Sequence, residues 1–307
     1  MIAEKYRPEK LDDIIGHPEI VKSLKSYVKN GNMPNLILIG NAGIGKTTAA
    51  IALAREFGCY PNAFLEINAS DDNGIAVMRG AVKEFCKRKS FAKVPFKIIL
   101  LDEGDNITKN AQEALRRTME QYSNTTRFII TGNSIKDIIS PIQSRCERKF
   151  FRNLSESSLQ EIMLKVQIGE GKILSPEVNK TIIELAEGDA RAVINLTESA
   201  LSYDGITPDT LYRMSGMAGA ESVRSLLTVA LRGEITALDY INKLLAEGVS
   251  ATELLNSIYF TAMRDSRIPT ENRLDILEVM RMIPGIDEKM VLAGTIAALI
   301  KLRRPTS

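Results

Sequence analysis

The run Gly40-Asn-Ala-Gly-Ile-Gly-Lys46-Thr47 restricts the fold of this 307-residue chain more than any other stretch. It matches GxxxxGK[ST] and lies between a short apolar run, Asn35 to Ile39, and a segment of helical spacing, Thr47 to Phe57. In that setting the glycines let backbone N–H groups curl around a phosphate, and the helix N-terminus adds partial positive charge. Lys46 reaches the outer phosphates, and the Thr47 hydroxyl suits a hard divalent cation.

The surrounding 150 residues repeat the strand–helix alternation. Phe64 to Asn68, Phe96 to Leu101 and Thr126 to Thr131 read as strands. Helices are expected from about Ile75 to Lys89 and from Asn110 to Gln121. Strands apolar on both faces and separated by helices predict a parallel sheet with right-handed crossovers. After Phe150 no strand candidate remains. Segments 155–168, 176–187, 190–202 and 207–214 have helical period, and beyond Gly216-Met-Ala-Gly219 five further helices follow. The expected class is therefore α/β, with domains at 1–152 (nucleotide-binding), 153–218 (a small helical lid) and 219–307 (all-helical).

The third strand ends in Ile98-Ile-Leu-Leu-Asp102-Glu103-Gly-Asp105, which puts carboxylates at the carboxyl edge of the sheet beside the phosphate loop. Asp102 suits Mg²⁺, and Glu103 is placed to polarise an attacking water. No NKxD element, the usual guanine reader, is present, so ATP is the favoured nucleotide. Asn133, after the fourth strand, is a candidate to orient that water, though asparagine is also an ordinary turn residue. Arg191, opening a helix, is a candidate contact to the terminal phosphate; alone it would also fit a solvated helix face.

Composition excludes other classes. Forty Lys plus Arg against 38 Asp plus Glu leave a net charge of +2, which neither requires nor forbids nucleic acid. One histidine, His17, and three scattered cysteines cannot build a usual Cys/His zinc site, and His17, in a polar N-terminal loop, is a poor triad base. No run approaches the ~18 apolar residues of a membrane span. A cytoplasmic protein, or a nuclear one in a eukaryote, is expected.

Further elements occur in order: Glu4-Lys5-Tyr6-Arg7-Pro8, Leu11 to His17, Leu65-Glu-Ile-Asn68-Ala-Ser70-Asp71, Ala111 to Glu120, Ser144-Arg145-Cys146 and Gly188-Asp189-Ala-Arg191. Along nearly its whole length the chain resembles the small subunits of replication factor C, the sliding-clamp loader of archaea and eukaryotes, within the AAA+ ATPases. The resemblance implies that Tyr6, Arg7, Ile15 and Gly16 line the adenine and ribose pocket. It puts the rest of the ATP site on Gly40, Asn41, Ala42, Gly43, Ile44, Gly45, Lys46, Thr47 and Thr48. It makes Arg145 an arginine finger acting on a neighbour's ATP, and residues 219–307 the collar of a five-membered ring that includes a large subunit. The implied partners are a clamp of the PCNA type and primer–template DNA, with no membrane. A branch-migration helicase is the rival reading; such motors commonly carry a C-terminal winged helix, and 221–307 shows no strand pair for a wing.

Arg79, Lys83 and Lys87 recur at i, i+4, i+8, a spacing suited to successive DNA phosphates, although a solvated basic stripe has the same pattern. The resemblance puts this helix on the DNA-facing surface. Gln112 and Arg116 are candidates to connect that face to the acidic strand end, and Phe85 and Phe91 to dock on a clamp or enter the core. Departures from the family pattern are Gly104, where alanine is familiar and a looser strand end is expected, Ala190 and Ala192 around Arg191, and Asp71-Asp72-Asn73-Gly74, which lacks a Glu-Arg pair.

Overall fold

A computed structural model describes residues 2–69, 74–88, 94–264, 268–282 and 287–303. Two compact units result, one of residues 1–174 with 182–202, the other of 175–181 with 203–307.

The first unit is built on five parallel strands, β1 (Asn35–Ile39), β2 (Phe64–Asn68), β3 (Lys97–Asp102), β4 (Thr126–Gly132) and β5 (Cys146–Phe150), in the order β2-β3-β4-β1-β5. Alternate residues of the central strands enter two separate cores. Leu36, Leu38, Ile98, Leu100 and Ile129 pack under α2 (Pro18–Asn30) and α3 (Lys46–Glu56). Ile37, Ile39, Ile99, Leu101, Phe128 and Ile130 pack under α4 (Gly74–Lys87) and α5 (Lys109–Gln121). The sheet is thus the middle of three layers, which is why its central strands β1, β3 and β4 carry apolar residues on both faces. On α3, Ala49, Ala50, Ala52 and Ala54 are all buried, and their small side chains admit the helix close to the sheet.

β5 adds a strand that the apolar pattern does not announce. Its sequence, Cys-Glu-Arg-Lys-Phe, is charged because β5 is an edge, paired on one side only, to β1 (Asn35 with Cys146, Ile39 with Phe150). All five carboxyl ends face one edge. A short α1 (Ile2–Lys5), α6 (Ser140–Gln143), α7 (Glu156–Gly169) and α9 (Ala190–Leu201) complete the unit, α1 and α7 each packing on α9. Between α7 and α9 runs α8 (Pro176–Ala186).

In the second unit the described residues form helices only, α10 (Pro208–Met214), α11 (Ala220–Leu231), α12 (Thr236–Ala246), α13 (Ala251–Arg264), α14 (Thr270–Met282) and α15 (Glu288–Arg303). Their core centres on Leu226, Leu227, Leu254, Ile258, Leu292 and Ile296. No described helix is long and apolar enough to cross a membrane.

Candidate active site

A cavity of about 330 Å³ lies where the carboxyl ends of β1, β3 and β4 meet the start of α9. Ala42, Gly43, Ile44, Gly45, Lys46, Thr47 and Thr48 line one wall, Asp102, Glu103 and Asn133 a second, and Arg191 a third; Tyr6, Arg7 and Ile15 close the N-terminal side. Most sequence candidates for the nucleotide site therefore converge on one space. Gly40, Asn41 and Gly16 do not line it. A Cβ on Gly40 would fall 2.5 Å from the Phe151 carbonyl, and one on Gly16 2.5 Å from Leu154 Cδ2.

Lys46 is 9% exposed, and its ammonium donates to the carbonyls of Gly40 and Asn41, each at 2.6 Å, and to Asn133 Oδ1 at 3.4 Å. Burial pushes its pKa below the ordinary 10.5, while the nearby Asp102 and Asp105 carboxylates pull it back up. Thr47 Oγ1 donates to Asp102 Oδ1 at 2.8 Å. That pairing of a hydroxyl with a carboxylate oxygen is a hard-donor set that fits Mg²⁺. Among the described residues no group of three or more His, Cys, Asp or Glu could hold a metal by itself.

Thr131, which the sequence reading passed over, also donates to Asp102 Oδ1 and accepts the Glu103 N–H at 3.1 Å. A hydroxyl directly after the buried apolar run Phe128 to Ile130 was the available signal. Glu103 itself adopts φ 54°, a left-handed backbone that costs a non-glycine residue about 1–2 kcal/mol and recurs at functional sites. Asn106 Nδ2 approaches its Oε2 at 3.4 Å. At Gly104, where alanine is familiar, there is no room for a methyl group. Ile130 Cγ2 fills the space, 2.4 Å from where a Cβ would stand.

The start of α9 bears directly on the phosphate loop. Ala190 donates its backbone N–H to the Gly43 carbonyl at 3.1 Å, and Asp189 caps the helix by accepting from the Ala192 N–H at 2.9 Å. Gly43 has φ +70°, and a Cβ there would stand 1.8 Å from Asp189 Oδ1, so only glycine admits this approach. A second link runs from Asn41 Nδ2 to Asn153 Oδ1 at 2.8 Å and from Asn153 Nδ2 to the Glu187 carbonyl at 2.8 Å. On the N-terminal side, Tyr6 hydroxyl and Lys5 ammonium both donate to Glu170 Oε1 at 2.7 Å. His17, in the loop before α2, is partly buried. Its Nε2 lies 3.2 Å from the Ile44 carbonyl, its ring meets Phe151 edge-on, and burial lowers its pKa from the ordinary 6.5.

Arg145 lies elsewhere. It directly precedes β5, whose first residue pairs with Asn35 at the amino edge of β1, whereas the phosphate loop follows Ile39 at the carboxyl edge. Four residue steps of about 3.3 Å separate those edges by about 13 Å. Gln112 does not connect α5 to the acidic strand end. It is 1% exposed, donates to the carbonyls of Ile107 (2.9 Å) and Asp137 (2.8 Å), and accepts from the Ile139 N–H (2.8 Å). Arg116 pairs with Glu113 and Glu120 instead.

On α4, Lys83 and Lys87 are exposed; the side chain of Arg79 lies outside the described residues, as do Phe91 and the stretch Ser70 to Asn73. Phe85 is partly buried and packs against the core under the sheet. Lys97, only 6% exposed, closes the end of this helix by donating to the carbonyls of Phe85 (2.6 Å), Cys86 (2.6 Å) and Arg88 (2.7 Å).

Residues 36–154 match the model of the ATPase family associated with various cellular activities (AAA), and residues 220–298 match that of the replication factor C C-terminal domain. The replication factor C small subunit of Sulfolobus acidocaldarius is 39% identical across 97% of this chain and 94% of its own. That of Aeropyrum pernix is 40% identical (98% and 96%), and that of Methanothermobacter thermautotrophicus 43% identical (93% and 89%). Among solved structures, the Thermotoga maritima RuvB Holliday junction branch migration motor superposes with a TM-score of 0.54 over 97% of this chain and 91% of that one, at 17% identity, a likeness of fold. With relatives matched from end to end, and both halves of the chain matched by their own models, the chain belongs to the replication factor C small-subunit family of AAA ATPases.

Proposed function

We propose that this chain is an ATP-hydrolysing subunit of a clamp loader. It would work in a hetero-oligomer, a pentamer with a distinct large subunit, that opens a PCNA-type sliding clamp and loads it onto primer–template DNA. Residues 1–152 would bind ATP, 153–218 would act as the lid, and 219–307 would form the collar between subunits.

In this reading the loop N–H groups and Lys46 hold the phosphates, and Tyr6, Arg7, Ile15 and Gly16 enclose the base and ribose. Thr47 and Asp102 would hold Mg²⁺, which when bound neutralises phosphate charge. Glu103 accepts a proton from the attacking water, Asn133 orients that water, and Arg191 contacts the terminal phosphate from α9. The basic helix face at Arg79, Lys83 and Lys87 would follow the DNA backbone without reading bases.

The observation that carries the proposal is the separation of Arg145 from this cavity, at the opposite edge of the same sheet. A site lined by Lys46, Glu103, Asn133 and Arg191 but not by Arg145 suits a trans mechanism, in which the charge that Arg145 carries arrives only on assembly. The rival branch-migration reading rests on fold likeness, and the described residues after 203 contain no strand for a wing.

Complexes that co-assemble Arg145→Ala with Glu103→Gln subunits test the reading. Each variant alone should lose orders of magnitude in ATP turnover, since arginine fingers are worth about 10³–10⁵ in rate. Mixed complexes assayed with primed DNA and clamp should recover activity where an intact Glu103 meets an intact Arg145. No recovery despite verified co-assembly would refute trans action.

A further inference from the structure

Arg145 is already engaged within its own chain. One terminal guanidinium nitrogen donates to Glu120 Oε1 on α5, and the other donates to the Pro141 carbonyl at 2.6 Å and to Ser144 Oγ at 3.4 Å. The same Glu120 oxygen accepts from Arg116 at 3.1 Å, and Arg116 Nε is tied to Glu113 at 3.0 Å. Two guanidinium groups therefore share one carboxylate oxygen, and neither forms the stronger two-point pair that an arginine and a carboxylate can make.

The two arginines differ in freedom. Arg116 has a second carboxylate on its own helix and its side chain is 27% exposed, whereas that of Arg145 is 36% exposed and sits at the sheet edge. A partly exposed ion pair biases a rotamer by about two- to fivefold, enough to set a resting position and too little to lock it. A phosphate accepts the same planar fork as a carboxylate, so the group that holds Arg145 at rest competes with a neighbour's nucleotide for it. Glu120 carried along would also bring a like charge towards that phosphate. The carboxylate has to stay behind, and Arg116 is the cation that keeps it.

We propose that Glu120 is a positioning residue that parks Arg145 on its own chain, and that Arg116 takes over Glu120 when Arg145 moves into the neighbouring ATP site. This rests on the trans reading of Arg145. It makes the arginine finger a two-position element set by helix α5.

The test uses assembled complexes carrying Glu120→Gln, Arg116→Gln, the double variant, or Arg145→Ala in this subunit. ATP turnover is measured at saturating ATP without DNA or clamp, alongside KM, ATP affinity and thermal melting. Glu120→Gln should raise the unstimulated kcat about two- to fivefold with KM unchanged, because the parked position loses its charge. Arg116→Gln should lower kcat, because Glu120 then holds Arg145 alone. The double variant should behave as Glu120→Gln does, since without the carboxylate Arg116 has nothing to keep. Glu120→Asp, one methylene short of contact, should reproduce the increase and guards against a folding artefact of the amide. A fall or no change in kcat for both Glu120 variants with unaltered melting, or additive effects in the double variant, would overturn the parking role. An Arg145→Ala complex with undiminished turnover would instead remove the trans reading beneath it.

Discussion

Asp105 Oδ2 accepts the backbone N–H of Asn133 at 2.7 Å, so the last residue of the acidic run after β3 fixes the loop that follows β4. The Ser134 N–H reaches the same oxygen at 3.2 Å. The side chain of Asn133 is thus aimed at Lys46 by a carboxylate that does not itself line the cavity.

Replacing Asp105 by alanine leaves two loop donors without their acceptor, and a hydrogen bond to a charged group is worth about 1.5–3 kcal/mol. Turnover should fall at least about tenfold, since about 1.4 kcal/mol is a factor of ten. ATP affinity should change far less, because Lys46 keeps its bonds to the Gly40 and Asn41 carbonyls and Thr47 its bond to Asp102. Asp105→Asn keeps one acceptor and should recover part of the rate. Steady-state kinetics with a separate binding titration checks this; equal losses in affinity and rate would contradict it.

Gly43→Ala should weaken ATP binding by about tenfold or more, since its methyl group would force Asp189 and the start of α9 away from the loop. Asp189→Gly in the same chain should restore most of the affinity. Glycine is an acceptable N-cap at a cost of a few tenths of a kcal/mol. The left-handed φ at 43 remains and should keep the double variant somewhat weaker, by about 1 kcal/mol. Calorimetric titration of the four proteins distinguishes a clash at Asp189 from backbone strain alone.

His17 links stability to acidity. Its folded pKa is lowered by burial, so the native state binds fewer protons than the unfolded state near pH 6. The contribution is present above the ordinary 6.5 and is lost as pH falls below it through the folded pKa. Urea unfolding between pH 7 and 5 should show a steeper loss in the native protein than in His17→Gln. The difference stays below the one-proton limit of about 1.4 kcal/mol per pH unit. Parallel curves would show that His17 does not carry the linkage.

For the exposed pair Lys83 and Lys87, neutralising each should weaken binding to any duplex by a similar factor. It should also flatten the dependence of log affinity on log salt by about 0.9 per lost phosphate contact. Salt titrations of Lys83→Gln, Lys87→Gln and the double variant measure this. An unchanged slope would move the DNA surface off α4.

What could be read from the chain was whatever local spacing encodes. Residues 36–39, 98–101 and 128–130 are apolar at every position because helices cover both faces of the sheet, and the phosphate loop announces itself by glycine and lysine spacing. β5 escaped because an edge strand tolerates Glu147, Arg148 and Lys149. Lys97 looks like a solvated lysine until three carbonyls from the end of α4 surround it. Likewise, nothing local joins Glu120 to Arg145, which are 25 residues apart and meet only because α5 and the start of β5 share a corner of the fold. The role of Asp105 was hidden for a similar reason, its partner lying one strand away.

The bond from the Ala190 N–H to the Gly43 carbonyl joins main chain to main chain. Sequence drift at position 190 therefore cannot erase it, since nineteen of the twenty standard amino acids carry the same donor. Proline alone removes that donor, and position 190 opens a helix, where proline is well tolerated. The preceding Asp189 already has the extended backbone that proline demands of its neighbour. One substitution could thus remove this bond while leaving the helix intact, and the link is most exposed to loss through the residue that otherwise suits its site best.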